Sequence, residues 1–243
     1  MRRDLANRQV SLKMLSVLAR LPGPFKSIAE RFDRTPIDSV EYLNRFARTR
    51  ASYVAQTSLF DYLKARMGTQ FREYFMDDAF SRAIHDSSVK IFVSCLSDLT
   101  VHAVAVVADP QRLQRSECEA MARQCFDRGM REGLADVDSR KVPADARSRF
   151  DRRLRETDWP ESATGDAAFV LSPADLVRHA PVIDEFKRLD RQIVATSIGH
   201  KWREVRNTFR KRAVPERIAA DWRAIPVPDI RPGSNGHGPG SRS

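Results

Sequence analysis

The sequence predicts an all-α fold, a single-domain bundle of about seven or eight helices with long central helices at 38–67 and 182–212. Three observations lead there. Gly is scarce, at 10 of 243 residues, while Ala, Leu, Arg, Glu and Asp fill long stretches. Those stretches lack the period-two alternation of strands, and their apolar residues recur at spacings of three and four, one face of a helix. A hydrophobic content of 42% is enough to build a packed core in a chain of this length.

The elements follow in chain order. Val10, Met14, Val17, Leu18 and Leu21 mark a helix over 6–21 that LPGP stops. DSVE then offers Asp38 as an N-cap with Glu41 three residues on, a capping-box pattern, and Gly68 is the expected C-terminal stop. After TQFREYFMDD a third helix begins near Asp78, carries Phe80, Ile84, Ile91, Leu96 and Leu99, and is expected to end at Asp109-Pro110. SECE places Ser116 as the next cap, with Met121, Cys125 and Phe126 facing inward and Gly129 and Gly133 weakening the end.

A short helix over 144–156 carries Phe150 and Leu154, and TDWPESATGD reads as a loop with Trp159 tucked under it. SPADL starts another helix with Ser172 as cap and Pro173 in its first position; Pro181 interrupts it. Over 182–212, Ile183, Phe186, Ile193 and Val194 form one apolar cluster. Ile198, Trp202, Val205 and Phe209 form a second, so the helix bends near Gly199 or changes its packing partner. A last short helix over 215–222 completes a domain expected to span 1–223. The Pro-, Gly- and Ser-rich residues 224–243 are expected to be a disordered tail.

The net charge of +10 sits at the ends: residues 1–34 and 200–223 each hold eight Lys/Arg against three Asp/Glu. An anionic partner would be met there. Cys95, Cys118 and Cys125 are an odd number with no CxxC pair, which fits reduced thiols in a cytoplasmic setting. Lys13 and Arg20 break the N-terminal apolar stretch, against a secretory signal. Val89–Ala108 approaches the length of a membrane span, but Lys90, Asp98 and His102 within it favour a buried helix, so no transmembrane segment is expected.

Candidate chemistry is sparse. Ser94, Asp98 and His102 lie four residues apart, which on a helix puts the Asp between the other two, about 6 Å along the axis from each. A hydrolase triad needs the His in the middle. The stripe is therefore read as the polar edge of an apolar helix, with Asp98 pairing to His102 or reaching polar groups on a neighbouring helix. Cys118 and Cys125 are seven apart, too far for the usual zinc spacing, and no HExxH, GxxxxGK, GxGxxG or GxSxG string occurs. No catalytic, metal or cofactor residue is assigned. Arg203, Arg206 and Arg210 line up beside an apolar stripe as the candidate face for phosphates of nucleic acid or lipid headgroups.

Two stretches, RTRASYVAQTSLFDYLKARMGT at 48–69 and TDWPESATGDAAFVLSPADLVRHAPVIDEFKRLDRQIVATSIGHKWREVR at 157–206, resemble a family of small helical bacterial proteins, some of whose members are labelled esterase. The resemblance covers most of the chain except its last twenty residues and brings no catalytic residues with it. The middle, around DLTVHAVAVV and FDRGMREGLADVDSRKVP, is similar to ubiquinol–cytochrome c assembly chaperones. The functional expectation is a non-enzymatic interaction, adaptor or assembly protein with a protein partner, cytoplasmic or peripheral to a membrane, its basic ends meeting an anionic surface. An esterase-like hydrolase with an unorthodox site is the alternative.

Overall fold

A computed structural model describes residues 34–70 and 77–225. The predicted helix over 6–21 and nearly all of the expected tail lie outside them. The described residues form eight α-helices and no strands. These are α1 (Val40–Met67), α2 (Asp78–Gln111), α3 (Arg115–Gly133), α4 (Ala146–Glu156), α5 (Trp159–Thr164), α6 (Leu171–His179), α7 (Asp184–Arg212) and α8 (Pro215–Ala224).

Helix α2 is the axis of the bundle, packed against α1, α3, α5, α6 and α8. Its Ile, Val, Leu and Phe residues run round most of the circumference, leaving one narrow polar edge, and a helix this apolar must be covered on nearly every side. It is long and apolar enough to cross a membrane by length and composition, with 94% of its most apolar window buried inside the fold. Pro110 lies inside its last turn rather than ending it, because a missing N–H there removes a single bond, and Arg112 closes the helix in the left-handed region at φ 48°.

Helix α3 packs on α2 through its glycines. A Cβ on Gly133 would lie 2.5 Å from Cζ of Phe92, and one on Gly129 would lie 2.8 Å from both methyls of Leu96. These glycines, expected to weaken the helix end, are the positions at which α3 comes closest to the core. Beyond them Phe126 stacks on Phe150 of α4 at 4.0 Å and 14°. The two ends of the described fold meet at Ile37, whose N–H donates to the Arg212 carbonyl at 2.8 Å while its own carbonyl accepts from Val214 N–H at 2.9 Å.

Several caps move from their predicted places. Ser39, not Asp38, caps α1, accepting from Tyr42 N–H at 3.3 Å, and Asp38 pairs with Arg217 at 3.2 Å. Helix α3 starts two residues earlier than SECE suggested: Glu117 accepts the Gln114 N–H at 2.9 Å, and Ser116 lies inside the helix. The predicted loop at 157–166 contains α5, because Asp158 accepts the Glu161 N–H at 3.0 Å and Pro160 suits a first turn. Gly68, at φ 54°, ends α1 as expected.

Helix α7 changes partner along its length. Val194, Ile198, Trp202, Val205 and Phe209 form its buried seam. The predicted first cluster does not pack inward apart from Val194: Ile183 is 59% exposed, Phe186 37% and Ile193 69%, with Leu189 beside them at 71%. In that half the inward position belongs to Asp190, which accepts from Tyr62 Oη at 2.9 Å and from Arg66 Nε at 2.6 Å on α1. A buried carboxylate satisfied by two donors fixes the rotation of the helix and turns the apolar row outward.

Candidate functional site

The polar edge of α2 is wholly inside the protein. Asp98 is fully buried, and its carboxylate is held from two directions. Arg153 of α4 donates to Oδ1 at 2.6 Å and to Ser97 Oγ at 2.8 Å. The first N–H groups of α6 supply the rest: Leu171 N–H to Oδ1 at 3.3 Å and Ser172 N–H to Oδ2 at 2.8 Å. Asp98 is thus the N-terminal cap of α6, supplied from another helix, which replaces the expected cap at Ser172. The Ser172 hydroxyl instead accepts from Trp202 Nε1 at 2.9 Å. Burial pushes the Asp98 carboxyl above its usual range, and the Arg153 guanidinium and the Ser172 hydrogen bonds oppose that shift.

His102 is not the partner of Asp98. Its Nδ1–H donates to the Ser162 carbonyl of α5 at 2.9 Å, and its ring lies 5.2 Å from that of Phe169 and 6.4 Å from that of Phe209. Nε2 has no hydrogen-bond partner among the described residues. Desolvation is the main force on it, with Arg206 and Arg210 adding to it, and together they take the imidazole down to about 4, so it is neutral at pH 7.

Ser94 donates its hydroxyl to Asp175 of α6. The same carboxylate lies 3.4 Å from Arg149 of α4, 3.6 Å from Arg178 and 3.8 Å from Nε2 of His179. A Ser, an Asp and a His therefore do come together, but with the Asp in the middle, so the imidazole is not placed to take the proton of the hydroxyl. Burial raises the Cys95 thiol and takes Cys118 up to about 11 and Cys125 up to about 12, values at which a thiol is a weak nucleophile at neutral pH. No group of three or more His, Cys, Asp or Glu among the described residues is arranged to hold a metal ion.

The predicted anionic face divides. Arg206 donates to the Gly165 carbonyl at 2.6 Å and pairs with Asp166 at 2.6 Å, its guanidinium 5.5 Å from the Phe169 ring. Arg210 donates to the carbonyls of Ala163 and Thr164 at 3.0 and 2.9 Å. Both guanidiniums cap the C-terminal end of α5, where cations match the helix dipole. Arg203 alone of the three is exposed without such a role.

Asp175, Arg149 and Arg153 escaped the sequence reading. Each lies on a short amphipathic helix beside an apolar residue, where a charged residue reads as a solvated edge. The one legible signal was spacing: Asp175, Arg178 and His179 share a face of α6, as Arg149 and Arg153 share a face of α4. No family model, curated protein or solved structure matches the chain.

Proposed function

We propose that the protein works by binding, as an adaptor or assembly protein, and that the outward row on α7 receives one amphipathic helix of a partner protein. The carrying observation is that row. Phe186, Leu189 and Ile193 follow one another at spacings of three and four, preceded by Ile183, and all are exposed. A strip one helix wide, with anchors at this spacing, matches the facing strip of a second helix. Its exposed flanks carry uncharged Gln192, Thr196 and Ser197 and acidic Glu185, while Arg66 of α1 lies over the Phe186 ring at 4.8 Å, a rim that suits a protein helix better than an anionic membrane surface. Four side chains supply well under the roughly 800 Å² per partner that a stable homodimer needs. Two of the three arginines of the basic face are engaged by carbonyls at the end of α5, so any anionic contact of that end falls to Arg203 and the exposed Lys211.

Among the described residues no activated nucleophile lies beside a His, which supports binding over the esterase-like alternative. The test places a photocrosslinking side chain at position 189 in cells, identifies the crosslinked protein, and measures the affinity of the purified pair. Leu189→Asp/Ile193→Asp should weaken it by at least about tenfold, given roughly 1.5–3 kcal/mol for each buried apolar side chain. Two results would overturn this reading. One is crosslinking only to a second copy or to lipid; the other is hydrolysis of p-nitrophenyl acetate that disappears in Ser94→Ala.

A further inference from the structure

A cavity of about 390 Å³ opens where α2, α4 and α6 meet the loop at 139–145, and it shares no residue with the outward row of α7. Its wall carries five cations, Lys90, Arg140, Lys141, Arg149 and Arg178, against two carboxylates, Asp145 and Asp175. Two of the cations are already neutralised by acids outside the wall. Arg140 is paired with Asp138 at 2.6 Å and Lys141 with Asp86 at 2.8 Å.

The other three are not saturated. Lys90, half-buried on α2, has no ion pair among the described residues. Arg149 and Arg178 share the one carboxylate of Asp175, each through a single long contact at 3.4 and 3.6 Å. Two guanidiniums carry ten N–H donors in fixed forks, and most of these are left for something else. Asp175 is itself occupied: it takes the Ser94 hydroxyl as well as the two arginines, so its charge holds the forks in place at the floor of the cavity.

We propose that this cavity binds a small molecule carrying one phosphate group and an apolar body. A tetrahedral oxyanion with several acceptor atoms meets two forks and an ammonium arriving from three helices, where a single carboxylate would be satisfied by one fork. The rest of the wall is largely apolar, with Val93, Phe126, Phe150 and Leu171 beside the cations and Ser94, Ser97 and His179 as its other polar residues, and the volume is that of a site for a small ligand.

The test uses phenyl phosphate, inorganic phosphate and phenol at constant ionic strength, followed by isothermal titration calorimetry. Phenyl phosphate should saturate one site per chain, bind more tightly than inorganic phosphate, and outcompete phenol, which lacks the charge. Lys90→Met and Arg149→Gln should each weaken it by about tenfold or more, equivalent to about 1.4 kcal/mol, while Lys64→Gln, exposed on α1 and outside the wall, leaves it unchanged. If Arg149→Gln fails to fold, Lys90→Met decides, because that side chain holds no ion pair to lose. The proposal is overturned by absence of saturable binding in the millimolar range, by equal weakening in Lys64→Gln, or by binding of phosphatidic acid vesicles without binding of phenyl phosphate.

Discussion

Replacing Asp98 by Ala removes a buried group that serves two other helices at once. Arg153, only 14% exposed, loses its carboxylate partner at 2.6 Å, and the Leu171 and Ser172 N–H groups at the start of α6 lose their acceptor. Breaking a buried pair from one side costs about 3–5 kcal/mol, because the surviving charge stays buried without a partner. For a domain of this size each kcal/mol lowers Tm by about 2–4 °C, so Asp98→Ala should melt about 10 °C below the parent. Urea unfolding of four proteins completes the argument: parent, Asp98→Ala, Arg153→Met, and the double variant. The double variant should recover much of the loss, since no charge is left uncompensated, with a coupling of at least about 1.5 kcal/mol. A loss under about 1 kcal/mol for Asp98→Ala, or simple additivity in the double variant, would refute the reading of Asp98 as a shared anchor.

Two further outcomes follow from local geometry. Gly133→Ala gains about 1 kcal/mol of helix propensity but sets a Cβ 2.5 Å from a ring that is fully buried, and overpacking of this kind costs about 1–3 kcal/mol. Thermal melting should show a net loss there, whereas Gly199→Ala on α7, with open space around its Cβ, should raise Tm. His102 provides a pH signature. Its folded-state value of about 4 lies below the ordinary 6.5, so below pH 6.5 the unfolded chain binds a proton that the native state refuses. Its contribution to stability is complete above pH 6.5, falls as the pH drops toward 4 and levels off beyond, on the order of 3 kcal/mol in all. Urea unfolding at pH 7.5, 5.5 and 4 should show that loss in the parent and a smaller one in His102→Gln; parallel curves would refute it.

The long helices were legible because their signals are local. The expected 38–67 and 182–212 appear as Val40–Met67 and Asp184–Arg212, each with its apolar repeat and its Gly or Pro boundary close by in sequence. Caps were misplaced by one or two residues, because Asp38-Ser39 and Gln114–Ser116 each offer more than one acceptor and only tertiary packing chooses between them. The site was legible only from its α2 side, where the polar stripe and a reach of Asp98 to neighbouring helices were expected. Ser94 finds Asp175 81 residues away and Asp98 finds Arg153 and Ser172 at 55 and 74, so the wheel of α2 showed which residues were polar and nothing of their partners. The outward row on α7 was misread for a related reason. Apolar spacing marks a face without saying whether the fold covers it, and Asp190, the residue that sets the rotation of the helix, looked from sequence like one more surface acid.

The polar residues of α2 have a joint role that none shows alone. Read from the C-terminal end of the helix backward, His102 meets the Ser162 carbonyl, Asp98 the N–H groups of Leu171 and Ser172, Ser94 the Asp175 carboxylate, and Ser87 the His179 carbonyl at 2.6 Å. As one chain descends from 102 to 87, the other ascends from 162 to 179, four contacts in antiparallel order. A helix apolar around most of its circumference has little in its apolar packing to say how far along it a neighbour should sit, since sliding by one turn replaces Leu or Val with Val or Ile. Sliding the α5–α6 segment by one turn would instead leave Asp98 without its N–H donors and the Nδ1–H of His102 without its carbonyl, each a buried polar group with its hydrogen bond unmade. The penalty falls on every wrong register and not on the right one. On this reading the polar edge of α2 is an alignment device for α5 and α6, and through Ser94 and Asp175 it also sets the floor of the cationic cavity. The arginine forks that face the cavity are placed by the same contacts that fix the register.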